Sequence, residues 1–216
     1  MSATERLDLF ATPVLKARVP QPERLNEALK QTIQMKRQND PNGINRSNVG
    51  GWHSEIDMLQ WGGPAAKQLA QFALETAGPH LADMHASGKR DFNYGADMWA
   101  NINPIGASNA LHCHPGATWS GVYYVDDGGA ALDQNGGELI LEDPRYPMAY
   151  MGVPDLVLKD AAGKAMLSQS AIRPEPGLLV LFPSWLRHSV NPHKGNRERI
   201  SIAINLILTP EAPTRG

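Results

Sequence analysis

From Tyr94 onward the hydrophobic period of this chain is two, and that restricts the second half to short strands. Eight runs fit: ADMWANIN (96–103), NALHCH (109–114), TWSGVYYV (118–125), GELILED (137–143), QSAIRP (169–174), LLVLFP (178–183), HSVN (188–191) and RISIAINLIL (199–208). Alternation sends successive side chains to opposite faces of a strand. Clusters of Gly, Asn, Asp and Pro separate the runs, DDGGAALDQNGG among them. Short strands at this spacing with turn signals between them argue for a sandwich or barrel. The stretch 144–168, with prolines and glycines and no clear period, reads as a lid or insertion.

Before Tyr94 the pattern is helical. Residues 20–38 place Leu25, Leu29, Ile33 and Met35 at near-helical spacing, and a second helix over 64–84 puts Ala65, Leu69, Phe72, Ala73 and Ala77 on one side. Pro79 bends or divides that second helix. Between them, NDPNGINRSNVGGWHS is dense in Asn, Gly and Pro and reads as loop. A length of 216 residues suits one domain, 1–216. In it a helical and loop part (1–92) packs on the β core (93–208).

The formal net charge is −2 and no Lys/Arg run stands out, so no basic footprint for nucleic acid exists. No apolar stretch reaches the length of a membrane span. The opening residues MSATERLDLF are charged early and lack a signal peptide's apolar core. Cys113 is the single cysteine, which excludes an intrachain disulfide. The expectation is a soluble cytoplasmic protein.

The chemistry concentrates at Leu111-His112-Cys113-His114-Pro115-Gly116. On a strand, His112 and His114 project to one face, and Pro115-Gly116 then ends the run near a rim. His188, in FPSWLRHSVNP, opens a later strand and can reach a rim too. Three neutral imidazoles can hold Fe(II), Zn(II), Cu or Ni, and three protein ligands leave positions open for reactants. His53, in GGWHSE, sits in a loop that could line a pocket. His80 and His85 are expected in solvent, and His193 on a surface turn.

Eleven residues after His188, Arg199 opens a strand in which Arg199, Ser201, Ala203 and Asn205 share one face and Ile200, Ile202 and Ile204 the other. The isoleucines want a core. An Arg facing inward in a closed barrel needs an anion. A small dicarboxylate would fit, one end on Arg199 and Ser201 and the other on the metal. Taken alone, an Arg at a strand end paired with a surface carboxylate is the commoner arrangement. Arg197 competes for the anion but lies before the strand. Tyr124 shares a face with Ser120 and could hydrogen-bond the same carboxylate, or simply fill the barrel. Asn101 and Asn103 share a face with Trp99 and could line the same cavity.

These pieces together resemble the 2-oxoglutarate/Fe(II) dioxygenases. LHCHPGATWSGVYYV, GGELILEDPR and PGLLVLFPSWLRHSVNPHKGNRERISIAIN are similar, more narrowly, to a bacterial family of 2-oxoglutarate/Fe(II)-dependent oxygenases related to the prolyl hydroxylases. The resemblance covers roughly 48–208 and includes the NVGGWHS loop. It implies a double-stranded β-helix (jelly roll) and Fe(II) and 2-oxoglutarate as cofactors. His112 and His188 match the two histidine ligands, Arg199 and Ser201 the carboxylate-binding pair, and Tyr124 a tyrosine that touches the cosubstrate. One position departs from the superfamily pattern: where Asp or Glu usually completes the facial triad, this chain has His114. Asp126, Asp127 and Glu138 are the carboxylates that could substitute.

Two other classes share parts of the pattern. Gly106-x5-His112-x-His114 fits the opening of a cupin metal site, though Thr118 and Trp119 stand where a cupin glutamate belongs. A metal-binding jelly roll without activity is the third. The expected partner is a small-molecule or peptide substrate, and exposed strand edges and the first helix could serve a homodimer.

Overall fold

In the computed structural model, residues 5–85, 91–129, 136–145, 153 and 156–211 are described. Eleven strands among them form two antiparallel sheets. The larger contains β1 (Leu15–Arg18), β3 (Trp52–His53), β4 (Phe92–Asn103), β6 (Trp119–Asp126), β9 (Leu178–Pro183) and β11 (Arg199–Pro210), in the order β1-β9-β6-β11-β4-β3. The smaller contains β2 (Asn48–Val49), β5 (Ser108–His112), β7 (Leu139–Glu142), β8 (Gln169–Ile172) and β10 (His188–Val190), ordered β2-β5-β10-β7-β8. Every strand pair crosses between non-adjacent segments or reverses by a loop, as in a jelly roll.

The outer face of the larger sheet carries the main core. Ile200, Ile202, Ile204 and Leu206 of β11 pack there with Met98, Ala100 and Ile102 of β4. Two helices cover them. Helix α1 (Glu23–Asn39) buries Leu25, Leu29 and Ile33, with Glu23 in its first turn and Lys36 and Arg37 in its last, both favourable to the helix dipole. After a single turn, α2 (Met58–Trp61), helix α3 (Gly63–Ala77) starts with Pro64 at a position that needs no N–H and buries Ala66, Leu69, Ala70, Ala73 and Ala77. Met35, expected in the first stripe, is 56 % exposed. Helix α3 stops at Ala77, short of the expected 84, because Gly78 and Pro79 turn the chain through a 3-10 step into extended Leu81. Leu139, Leu141, Leu178, Val180, Phe182 and Leu186 form a second, inner cluster between the sheets.

The eight expected strands are all present, most with shifted ends. β4 begins at Phe92, and β5 ends at His112, so His114 lies beyond the strand. Three strands were not anticipated: β1, and the two-residue β2 and β3 inside what reads as loop. The stretch 144–168 and the turn 126–137 fall partly outside the described residues. No helix among the described residues is long and apolar enough to cross a membrane.

Candidate metal centre and cosubstrate pocket

His112 and His188 are direct cross-strand partners on β5 and β10. Between His188/His112 and Val190/Asn109 the register slips by one residue, a bulge in β5. Bulges re-aim side chains beside functional sites. Here the bulge leaves the Ala110 carbonyl free to accept a hydrogen bond from His112 Nδ1 at 2.7 Å. His188 Nδ1 donates to the Leu186 carbonyl at 2.9 Å in the same way. A carbonyl can only accept, so both rings carry the proton on Nδ1 and offer a lone pair on Nε2.

His114 arrives by a different route. Its backbone N–H donates to Ser184 O at 2.9 Å, and Gly116, at φ 98°, turns the chain immediately after it. That backbone conformation suits glycine. The His114 ring sits 4.9 Å from His112 and 5.0 Å from His188, and the remaining pair is 4.3 Å apart, all between centroids. One ligand nitrogen from each ring lies within 4.8 Å of the others. Burial, then the charge of neighbouring histidines, pushes His188 down to about 3 and His114 down to about 4; burial lowers His112 as well. All three are therefore neutral at pH 7, the form a metal needs.

The carboxylates offered as substitutes for His114 are committed elsewhere. Asp126 accepts from Lys30 Nζ at 2.8 Å and from Arg197 at 3.1 Å. Asp127 accepts from the Gly129 N–H at 2.8 Å and lies 3.6 Å from Arg197. Glu138 accepts from the Gly136 N–H and the Asn191 side chain. Among the described residues, the three imidazoles are the cluster that could hold a metal.

Beside the triad is a cavity of about 50 Å³ whose polar wall comes from three neighbouring strands. Ser201 of β11 is paired with Asn101 on β4 and with Tyr124 on β6, and Arg199 is paired with Asn103. A second bulge, at Ile200/Ser201 against β6, adjoins this row. Arg199 is 1 % exposed and joins no ion pair among the described residues; it donates to Asn103 Oδ1 at 3.0 Å and Gly137 O at 3.4 Å. A guanidinium keeps its proton at neutral pH, so a buried positive charge faces the cavity with no carboxylate partner among the described residues. Its Nε, the Tyr124 hydroxyl and Asn101 Oδ1 are buried with no hydrogen-bond partner among the described residues. Burial raises the Tyr124 phenol to about 12 against the opposing pull of Arg199, so it remains a donor. Two unpaired donors, Arg199 Nε and the Tyr124 hydroxyl, at one buried cation fit a carboxylate, while Asn101 Oδ1 is an unpaired acceptor.

Residues 97–205, just over half of the chain, match the family described as "Putative 2OG-Fe(II) oxygenase". The chain belongs to this family. The oxygenase has the jelly-roll fold of solved 2-oxoglutarate enzymes. It aligns with a Pseudomonas putida prolyl-4-hydroxylase at 19 % identity and TM-score 0.58, covering 93 % of this chain and 95 % of that one. It aligns with a Trichoplax adhaerens prolyl hydroxylase, solved with a hypoxia-inducible-factor peptide, at 14 % identity and TM-score 0.62, over 90 % and 83 % of the chains. Streptomyces hygroscopicus HygX, solved with nickel, 2-oxoglutarate and hygromycin B, aligns at 10 % identity and TM-score 0.58, over 90 % and 82 %. No curated protein sequence matches. The oxygenase is thus a 2-oxoglutarate/Fe(II)-dependent enzyme, and its three histidines could bind the iron.

The expected site residues converge: the triad, Arg199, Ser201, Tyr124 and Asn101 all line the inner cavity of the oxygenase. Arg197, 60 % exposed and paired with Asp126, stays outside. His193 corrects the sequence expectation. It is 1 % exposed, not on a surface turn, because Nε2 donates to Arg197 O at 2.7 Å and its backbone pairs with Ala107 and Gly106. Gly128, Gly137 and Gly195 make room for its ring. Asn103, expected only to line the cavity, anchors Arg199. Two supports escaped the sequence: Ser47 Oγ lies 3.3 Å from His112 Nε2, and Phe182 packs on His188 at 4.7 Å. His53 is buried and stacks on Trp99 at 5.5 Å, and Trp99 in turn lies 5.5 Å from His114. Only the unusual NVGGWHS run hinted at this.

Proposed function

We propose that the oxygenase holds Fe(II) on His112, His114 and His188, anchors 2-oxoglutarate on Arg199, and hydroxylates a small-molecule or peptide substrate. The observation that carries this reading is the buried Arg199, paired with no carboxylate among the described residues, beside three convergent neutral imidazoles. Iron with oxygen and 2-oxoglutarate supplies the oxidising power, and the cosubstrate leaves as succinate and carbon dioxide.

The chain's own residues bind, orient and exclude. Arg199 fixes the far carboxylate, prealigned by Asn103 and the Gly137 carbonyl. The hydroxyls of Ser201 and Tyr124 add donors from the same wall. Asn101 contributes an amide able to donate or accept. The Ala110 and Leu186 carbonyls hold the tautomers of His112 and His188, which keeps both Nε2 lone pairs on the metal side. Phe182 and Leu139 form dry walls that strengthen every charge interaction inside.

His114 in place of a carboxylate changes the electrostatics in a definite direction. Three neutral ligands leave the full double charge of Fe(II) uncompensated by protein. A dianionic chelator is then favoured more than in a site that already holds a carboxylate. The test is succinate release from 2-oxoglutarate, dependent on both iron and oxygen, measured without any prime substrate. His112→Ala should abolish it; turnover at the wild-type rate would remove His112 from the ligand set.

A further inference from the structure

The metal-ligand cluster divides the barrel in two. Successive facing pairs along β11 and β4 are Arg199–Asn103, Ser201–Asn101, Ala203–Trp99 and Asn205–Asp97. Alternate residues share a face, so these pairs form four rows spaced by about 7 Å. His114 packs against Trp99, which puts the triad at the third row. The cosubstrate wall occupies the first two rows. Asp97 and Asn205 occupy the fourth, on the opposite side of the triad.

A second cleft, of about 550 Å³, opens on that side and shares Trp99, His112 and His114 with the inner cavity. Arg46 and Asp97 both line it. They form no ion pair with each other or with any described residue. His53 lines the same cleft and is near enough to Arg46 and His112 to feel their charge. Its Nδ1 donates to Ser54 O at 2.5 Å, which fixes the tautomer and leaves Nε2 as an acceptor. Its ring lies 15° from parallel with Trp99, so the acceptor is held rigidly beside an indole face.

We propose that this cleft takes a small zwitterion of the α-amino-acid type as the molecule to be oxidised, its ammonium on Asp97 and His53 and its carboxylate on Arg46. The proposal rests on His112, His114 and His188 being the metal site. Two opposite charges on one cleft, with no ion pair between them or to any other described residue, match a ligand that carries both. An internal peptide residue offers neither charge, and would cover Asp97 and Arg46 without pairing them, which is costly. The row spacing lets the ammonium sit one row beyond Trp99 while a side-chain carbon meets the triad. One C–H bond of the amino acid becomes C–OH with one atom of O₂. The other oxygen atom enters succinate as 2-oxoglutarate loses carbon dioxide, and the electrons balance without a further reductant.

The test uses the full-length protein loaded with Fe(II) and 2-oxoglutarate under anaerobic conditions. The common free L-amino acids are titrated singly by calorimetry, followed for each binder by its N-acetyl and methyl-ester derivatives. At least one free amino acid should bind, and either cap should weaken it by roughly tenfold or more, the scale of one charge-assisted hydrogen bond. Asp97→Asn should abolish the penalty for acetylation, and Arg46→Gln the penalty for esterification. Binding of no free amino acid, equal binding of capped and free forms, or selectivity that survives both substitutions overturns the proposal. The metal-to-2-oxoglutarate charge-transfer absorption, recorded on the same samples, separates the two levels. Its presence without zwitterion selectivity sinks this inference alone, and its absence removes the metal and cosubstrate reading beneath it.

Discussion

Tyr124→Phe separates a residue kept for folding from one kept for the cosubstrate. The Tyr124 side chain is fully buried, and its hydroxyl has no partner among the described residues. An unsatisfied buried hydroxyl costs roughly 1–3 kcal/mol, so its removal should leave the metal-free protein equally stable or more so. The ring still fills the barrel beside Val180 and Leu178, so no cavity opens. The same hydroxyl faces the cavity that also holds Arg199 and Ser201. A hydrogen bond to a charged carboxylate contributes about 1.5–3 kcal/mol, which is a loss of roughly 10- to 150-fold in 2-oxoglutarate affinity. Urea denaturation of the metal-free protein gives the first quantity, and anaerobic titration of 2-oxoglutarate into the Fe(II) form gives the second. The reasoning fails if the variant is destabilised by more than about 1 kcal/mol while binding 2-oxoglutarate as tightly as wild type.

Other substitutions probe the scaffold. A methyl group at Gly121 would lie 2.5 Å from both Leu181 Cδ2 and Val180 O. Gly121→Ala should therefore cost about 1–3 kcal/mol of overpacking and lower the melting temperature by several degrees; an unchanged melt would show that β6 and β9 can separate freely. Asp126 joins helix α1 to the barrel through Lys30. Burial opposes its ionisation, but Lys30, the Gly128 N–H and Arg197 together hold its carboxyl below the ordinary 3.8. A lowered folded value contributes stability above the unfolded value and loses it as pH falls through the folded one. Asp126→Asn should cost up to about 1 kcal/mol at pH 7, given the exposure of its partners. The gap should close below about pH 3.8 in denaturation curves taken across the acid range; a constant gap would place the effect elsewhere.

Much of the site was legible because it depends on strand parity and residue type. The Arg199–Ser201 face, the isoleucine face and the face that Tyr124 shares with Ser120 follow from alternation alone, whereas the pairing of Tyr124 with Ser201 is set by the sheet. His112 and His188 could be proposed as partners from residue chemistry, but their direct pairing is a tertiary fact. Parity gave the right result for His114 by the wrong route, since the strand ends at His112 and a glycine turn delivers the ring. The two bulges have no sequence signature of their own, yet they release the Ala110 carbonyl and adjoin the Ser201 row. His193 misled because a turn rich in Asn, Pro and Gly looks solvated, while Gly128 and Gly137, distant in sequence, and the nearby Gly195 leave room for its ring to be buried. β2 and β3 were hidden because two residues are too few to show a period.

The ligand set is best tested by anomalous diffraction at the iron edge, on crystals grown anaerobically with Fe(II) and 2-oxoglutarate. A single iron peak within bonding distance of His112, His114 and His188 Nε2, with the cosubstrate's far carboxylate on Arg199, is the predicted result. Iron bound through Asp126, Asp127 or Glu138, or a cosubstrate carboxylate remote from Arg199, would contradict it.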